Sequence, residues 1–99
     1  MKIFYDKFKN NGEEHREGGP AHIEYNNHDM ITLEMYLING ELHREDGPAI
    51  TFYTTDGSIF HEAYYIDGKE HREGGPAIIY YNDGIITHKA YYNNGDRIS

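Results

Sequence analysis

A tripeptide that recurs at a fixed interval constrains the fold of this chain more than any other feature. His-Arg-Glu begins at His15, His43 and His71, spaced 28 residues apart, and Gly-Pro-Ala follows every copy. Asn-Gly or Asp-Gly precedes each copy, at residues 11, 39 and 67, and the equivalent dipeptide of a fourth repeat begins at residue 94. Such a period is typical of domains that stack one small structural unit. We therefore predict a single domain over residues 1–99, with repeats starting near 11, 39, 67 and 94.

The residues between these motifs have the composition of β-strands. Short β-branched and aromatic runs follow the prolines at residues 49–53 and 77–81, and longer runs lie at 59–66 and 85–92. Asp-Gly separates the short run from the long one in the second and third repeats, which indicates hairpins because both residues accept a positive φ. We predict an all-β fold, a single-domain antiparallel β-meander of about three 28-residue hairpin repeats plus a truncated fourth.

The turns of the repeats differ in their glycine content. In the first repeat the hairpin turn is residues 26–29, which contain no glycine, so we expect a looser loop there. A glycine precedes each motif proline, at Gly19, Gly47 and Gly75, and we expect a backbone conformation there that other residues resist. Short return strands are predicted at residues 13–17, 41–45 and 69–73.

Tyrosine supplies much of the apolar surface available for a core. The chain has ten tyrosines, and a buried tyrosine needs a partner only for its hydroxyl group. Equivalent positions of successive repeats would stack their rings across neighbouring strands. The aromatic columns predicted to form the core are Tyr25, Tyr53 and Tyr81, and Phe8, Tyr36, Tyr64 and Tyr91.

Charge and cysteine content argue against several functional classes. The 17 acidic residues outnumber the 9 lysines and arginines and give a net charge of −8, so direct binding to a nucleic-acid backbone is not expected. No apolar run is long enough to span a membrane, and no signal peptide is recognisable. Cysteine is absent. We therefore expect a cytoplasmic protein without a membrane partner.

The recurring histidines and arginines are candidate ligand-binding residues. Equivalent residues three strands apart would be separated by ~14 Å, which is too far for the three histidines to share one metal ion. The structural alternative is that each histidine and arginine supports its own turn. Arginine with tyrosine rings could instead hold the phosphate and base of a nucleotide. The residues concerned are Arg16, Arg44, Arg72, His43 and His71.

Catalytic constellations are missing from the sequence. The only serines are Ser58 and Ser99, and neither belongs to a recurring Ser-His-Asp arrangement. Carboxylates are so numerous that pairs of them arise by chance. We expect no enzymatic activity, no cofactor and no metal.

Positions that differ between repeats are the better candidates for recognising an asymmetric partner. His22 and Glu24 of the first repeat are replaced by apolar residues in the second and third repeats. The predicted partner-binding residues are Ile50, Phe52, Tyr65, Ile78, Tyr80 and Tyr92. Unpaired edge strands near residues 3–9 and 85–93 also predict a homo-oligomer.

The repeat resembles a known family. Its unit, Asn/Asp-Gly-x-x-His-Arg-Glu-Asp/Gly-Gly-Pro-Ala followed by a strand, a glycine turn and an aromatic strand, is similar to a MORN-like repeat variant of bacteriophages and giant viruses. The resemblance extends from about Phe4 to Gly95, although tyrosine stands where the family is expected to have tryptophan. It implies an elongated antiparallel β-meander without catalysis or an agreed ligand. By analogy, a phage origin suggests a small protein that blocks a host factor.

These observations favour a non-enzymatic β-repeat module that binds a protein partner. The chain would be phage-encoded and would inhibit a host-defence protein in the host cytoplasm. Two alternatives stay open. One is a nucleotide-sequestering protein that uses arginine and tyrosine, and the other is an acidic mimic of nucleic acid.

Overall fold

The chain folds into antiparallel β-structure. The computed structural model describes residues 4–99, with side chains from Lys7 onward, and contains no helix within that range. The fifteen strands are β1 (Phe4–Lys7), β2 (Lys9–Asn10), β3 (Glu13–Glu14), β4 (His22–Tyr25), β5 (Ile31–Met35), β6 (Leu37–Ile38), β7 (Glu41–Leu42), β8 (Ile50–Tyr53), β9 (Ile59–Ala63), β10 (Tyr65–Ile66), β11 (Lys69–Glu70), β12 (Ile78–Asn82), β13 (Ile85–Ala90), β14 (Tyr92–Asn93) and β15 (Asp96–Arg97). The all-β prediction is confirmed. No described helix is long and apolar enough to cross a membrane.

The strands form one large sheet and four small ones. The large sheet has seven strands in the order β1-β4-β5-β8-β9-β12-β13, and each neighbouring pair is antiparallel. The small sheets are the two-stranded hairpins β2-β3, β6-β7, β10-β11 and β14-β15. The molecule measures 38 × 37 × 19 Å and is therefore thin in one direction.

The long strands predicted at 59–66 and 85–92 are not continuous. Each breaks at an aromatic residue, whose backbone groups bond in two directions. The amide of Tyr64 donates to the carbonyl of Ala77 at 2.7 Å, whereas its carbonyl accepts from the amide of His71 at 3.0 Å. Because these two partners belong to different segments, the strand divides into β9 and β10. The predicted return strands also pair over only two residues each.

The hairpin turns follow the sequence closely. Asn39 and Gly40 have φ values of 50° and 82°, the paired positive angles that a tight hairpin turn requires. The first repeat was expected to have a looser loop because it lacks glycine, and this is wrong. Asp29 adopts a φ of 60°, and its amide donates to Asn26 as Gly57 donates to Thr54. Aspartate tolerates a positive φ better than most residues, so the first repeat forms the same turn as the second without a glycine.

Alanine, isoleucine and leucine side chains, not aromatic rings, form the buried centre. Ala21, Ala49 and Ala77 are fully buried, and Thr51 and Ile79 lie beside them at 5% exposure. Within the described range, no large side chain is completely buried. The predicted core tyrosines at 25, 53 and 81 are half-buried, because their rings lie across neighbouring strands. Their hydroxyl groups explain this position, since Tyr53 donates to Glu34 at 2.5 Å and Tyr81 to Glu62 at 2.6 Å.

Candidate functional site

A row of aromatic rings crosses four strands on one face of the large sheet. Phe52 lies opposite His61, His61 opposite Tyr80, and Tyr80 opposite His88. The ring centroids of these successive pairs are 5.7, 4.2 and 6.2 Å apart. We call this surface the aromatic face. Its rings touch one another along the row, and Tyr80 is still 44% exposed.

A parallel row of aliphatic side chains borders the rings. Ile50 and Ile78 both lie opposite Ala63, from the two strands that flank β9. Both isoleucines are half-buried, and each stands two residues before the aromatic residue of its own strand. Side chains two residues apart in a strand share a face. The structure therefore brings the predicted residues Ile50, Phe52, Ile78 and Tyr80 onto one surface.

The two remaining predicted residues lie next to this surface. Tyr65 and Tyr92 begin β10 and β14 and are half-buried. Burial raises the pKa of Tyr65, and the charges of Glu70, Tyr92 and Tyr80 raise it further. Tyr65 is thus within electrostatic reach of both Tyr80 and Tyr92. Tyr65 and Tyr92 belong to the small hairpins, whereas the other four predicted residues belong to the large sheet.

His61 is a central member of the row that the sequence analysis did not select. Burial lowers the pKa of His61 below its ordinary value of 6.5, although a backbone contact with Ile79 and the charge of Glu62 oppose the effect. Its Nδ1 is buried and has no hydrogen-bond partner. A neutral imidazole behaves as one more aromatic ring between Phe52 and Tyr80. The sequence does contain one indication of this role, because His61 occupies the repeat position that Leu33 occupies in the preceding repeat.

Further exposed apolar residues lie at the ends of β9 and β13 that are nearest the hairpin turns. Ile85 is 70% exposed and Ile86 48%, while Ile59 and Phe60 are 37% and 38% exposed. The ring of Phe60 lies 5.8 Å from that of Phe52 and so joins the aromatic face. These residues were also missed. Because they lie in sequence beside a glycine-containing turn, the sequence indicated only that a strand begins there.

The opposite end of the same face is polar. His22 has one ring nitrogen 2.9 Å from Glu14 and the other 2.7 Å from Glu24. This side chain is only 8% exposed, so the three residues form a compact polar cluster. The face therefore changes from charged to apolar along the sheet, as the substitution pattern between repeats predicted.

Each motif arginine contacts an aromatic ring that precedes its repeat and the proline of its own motif. The guanidinium carbons of Arg16, Arg44 and Arg72 lie 4.0, 3.9 and 4.0 Å above the rings of an aromatic residue of the same column. One guanidinium nitrogen of each also donates to the carbonyl of the motif proline, at 3.3, 3.2 and 3.1 Å. The expectation that each arginine supports its own turn agrees with these contacts.

The recurring glycine lies on the other side of each guanidinium group. A Cβ at Gly47 would lie 2.8 Å from the guanidinium carbon of Arg44, closer than side-chain atoms approach one another. The predicted special backbone conformation at Gly19, Gly47 and Gly75 is wrong, because positive φ values occur one residue earlier, at Gly18 and Gly74. The physical requirement for glycine is instead the close approach of arginine.

The motif histidines bond to the following repeat through Nδ1, while Nε2 of each lies 3.5 Å from the glutamate of its own motif. Nδ1 of His15 accepts a hydrogen bond from the amide of Asn39 at 2.9 Å. His43 accepts from Asp67 at 3.0 Å, and His71 accepts from Asn94 at 3.1 Å. The expectation that each histidine supports its own turn is therefore incomplete, because its Nδ1 supports the turn of the next repeat. The reason is that the Asn-Gly or Asp-Gly turn of the next repeat presents its first amide to this nitrogen.

Clefts lie between successive repeats beside the arginines. One has a volume of about 590 Å³ and is lined by residues that include Arg44, Tyr64 and Arg72. Its counterpart of about 630 Å³ is lined by residues that include Arg16, Tyr36 and Arg44. Carboxylates line both clefts as well, and Arg44 Nε donates to Asp46 at 3.0 Å. A phosphate group would meet acidic side chains and partly occupied guanidinium groups there.

Comparison with known proteins identifies no relative of this chain. No protein-family model, curated protein or solved structure matches the chain. Among residues 4–99, no group of three or more histidine, aspartate or glutamate side chains is placed to hold a metal ion. The feature of the described residues that bears on function is therefore the aromatic face.

Proposed function

We propose that this chain is a non-enzymatic module that binds a protein partner through the aromatic face. The observation that supports it is the row of rings from Phe52 to His88, in which Tyr80 is 44% exposed, bordered by the half-buried Ile50 and Ile78. Aromatic residues are enriched at the centres of protein interfaces and supply most of their binding energy. Contiguous apolar surface on a monomer is typical of an interaction site.

The difference between residues that recur in every repeat and residues that vary supports the same proposal. Side chains that recur identically are engaged within the chain, as the arginines bond their prolines and the histidines bond the next turn. Side chains that vary between repeats form the exposed face. A stacked repeat protein needs identical contacts to close each unit, and it needs different residues to recognise an asymmetric partner. Ile50, Phe52, Ile78 and Tyr80 meet the second requirement.

The finer architecture and origin belong to the proposal as well. We propose stacked 28-residue hairpin repeats of the MORN-like kind, encoded by a phage and acting in the host cytoplasm on a defence protein. The support is the motif resemblance, together with the hydrogen bonds that link each repeat to the next. Affinity capture from a host lysate, with mass spectrometry of bound proteins and extracted small molecules, would identify the partner.

Paired substitutions test the proposed binding face directly. Phe52→Ser with Tyr80→Ser should abolish partner capture, because truncated aromatic anchors typically cost ~2 kcal/mol or more of binding free energy. Ile98→Ser is the matched control, since Ile98 is 64% exposed and lies outside the aromatic face. Circular dichroism and urea unfolding would confirm that both variants fold. Full binding by the double variant would contradict the proposal.

Nucleotide sequestration predicts a different result. That function needs Arg44, Tyr64 and Arg72 in the cleft between the second and third repeats. Folded Arg44→Ala protein that loses every bound small molecule, while the Phe52→Ser and Tyr80→Ser variant keeps them, would favour it. The cleft is also lined by the acidic side chains Glu45, Asp46 and Glu73. Because they would repel a phosphate group, we favour the protein-binding function.

An acidic nucleic-acid mimic is the second candidate. The motif glutamates Glu17, Glu45 and Glu73 have side chains that are 85%, 82% and 91% exposed, and they recur at equivalent positions. Exchanging all three for glutamine removes their charge and keeps their shape. Competition with duplex DNA for a basic partner protein would fall in this variant if mimicry is the function. Unchanged partner binding would leave the aromatic face as the binding surface.

The predicted homo-oligomer would use the same apolar surface or the sheet edges. Within the described residues, β1 and β13 form the two edges of the large sheet, as predicted, and only Ile3 of the first predicted edge lies outside the described residues. Light scattering of the purified chain at micromolar concentration measures this directly. A dimer mass that the Phe52→Ser and Tyr80→Ser variant reduces to a monomer would identify a second copy as the occupant of the aromatic face.

A further inference from the structure

Strand β13 has one neighbour in the large sheet, whereas the equivalent strands β5 and β9 each have two. In the large sheet β5 lies between β4 and β8, and β9 lies between β8 and β12, but β13 pairs only with β12. It is six residues long, and residues 85–89 are all exposed. An exposed strand of this length presents unpaired backbone donors and acceptors to another chain.

The molecule itself shows how a strand docks at this position. On β5, Leu33 lies opposite Phe52 and Met35 opposite Ile50. On β9, His61 lies opposite Tyr80 and Ala63 opposite Ile78. The repeat places His88 and Ala90 at the equivalent positions of β13. An incoming strand in the same register would thus set an aromatic residue opposite His88 and an aliphatic one opposite Ala90.

The other face of the strand adds a charge requirement. Glu34 on β5 accepts a hydrogen bond from Tyr53, and Glu62 on β9 accepts one from Tyr81. At the equivalent position of β13 stands Lys89, which is exposed. Lysine carries three donors and no acceptor, so a tyrosine hydroxyl cannot donate to it. A carboxylate at the tyrosine position would instead form an ion pair with Lys89.

We infer that β13 binds an extended segment of the partner protein as an added antiparallel strand, with the pattern aliphatic, any residue, aromatic, acidic. This inference rests on the proposed protein-binding function and specifies its mode. The docked aromatic side chain continues the row of rings beyond His88. A second copy of this chain is a poor occupant, because β4, β8 and β12, the strands of the matching type, are each paired on both sides.

A peptide derived from the chain tests the inference. Residues 75–82 with Tyr81→Glu supply the required pattern, and a fluorescent label reports binding to the full-length protein by anisotropy. Binding should protect from hydrogen exchange those amides of residues 85–90 that point away from β12. Lys89→Glu should weaken binding by about fivefold, the size of one exposed ion pair lost to repulsion. The same variant should bind the Tyr81→Lys peptide more tightly than wild-type protein does.

The controls separate this inference from the proposed function. Lys69→Glu makes the same charge change at an exposed site on β11 and should leave binding unchanged. Peptide binding without protection of those amides of residues 85–90 that point away from β12 would overturn the inference, and so would a peptide-free dimer in which the same amides are already protected. Loss of partner binding in the Phe52→Ser and Tyr80→Ser variant, with no effect of Lys89→Glu, would retain the proposed function and overturn this mode.

Discussion

At the scale of single residues, one contact accounts for several recurring positions. The guanidinium group of Arg44 is stacked on Tyr36, bonded to the carbonyl of Pro48 and covered by Gly47. Each partner contributes a different interaction, namely ring quadrupole, hydrogen bond and close approach. Changing any one member should therefore change what the others tolerate.

Gly47→Ala should lower the free energy of unfolding by about 1–3 kcal/mol, because the added methyl group overpacks the guanidinium contact. In the Arg44→Ala background the same substitution should cost little, since the group it meets at 2.8 Å is gone. Urea unfolding of the four proteins of this double-mutant cycle measures the coupling. Equal costs in both backgrounds would show that the glycine is needed for another reason.

The Tyr81 hydroxyl group should make stability depend on alkaline pH. Its hydrogen bond to Glu62, with burial, raises the pKa of Tyr81 from 10.0 to about 12. The neutral phenol is favoured in the folded state, so its contribution is complete below pH 10 and is lost as the pH rises toward 12. Tyr81→Phe should flatten this decline in urea midpoints. Identical pH profiles of variant and wild type would contradict the assignment.

At the scale of strands and hairpins, the motif histidine links one repeat to the next. The bond from the Asp67 amide to His43 Nδ1 spans 24 residues, and the amide of Gly68 donates to the carbonyl of Leu42 nearby. The small hairpins thus contact one another through few backbone bonds. The histidine side chain adds one hydrogen bond to those that join the hairpins of successive repeats.

His43→Ala should lower the free energy of unfolding by about 1 kcal/mol, because the Asp67 amide loses its acceptor. Hydrogen exchange of that amide should accelerate, while amides within β8 and β9 should stay protected. His28→Ala serves as the control, since His28 is exposed in a loop. A faster Asp67 amide in both variants would point to global destabilisation instead.

At the scale of the whole molecule, repulsion between negative charges lowers the stability of a thin fold. The net charge is −8, the thickness is 19 Å, and the buried centre consists largely of alanine, isoleucine and leucine. Small domains of this kind bury a limited share of their surface, so electrostatic repulsion is significant for stability.

Sodium chloride should therefore stabilise the protein. Raising the ionic strength from about 0.01 M to 0.1 M shortens the screening length from ~30 Å to ~10 Å, which is below the width of the molecule. The Tm measured by circular dichroism should increase by several degrees. A falling Tm would mean that attractive ion pairs, such as Arg44 with Asp46, outweigh the repulsion.

Local chemistry explains what could be predicted of the fold and the site. Positive φ at Asn39 and Gly40 depends on the residue types themselves, and strand pattern depends on neighbours two positions away. The shared face of Ile50, Phe52, Ile78 and Tyr80 follows from the same alternation. His61 and the exposed Ile85 were missed because their surroundings depend on which strands lie beside them.

The sequence by itself determined the repeat period, the antiparallel β-class, the turn positions and the residues that vary along one sheet face. Tertiary structure alone decided where the long strands break, which turn each histidine bonds, why the motif glycine is needed and how Tyr65 comes within reach of Tyr80. The physical reason is distance along the chain. Turn angles and alternation are properties of adjacent residues, whereas these contacts join residues of different strands or repeats, and their register is set only when the repeats pack together.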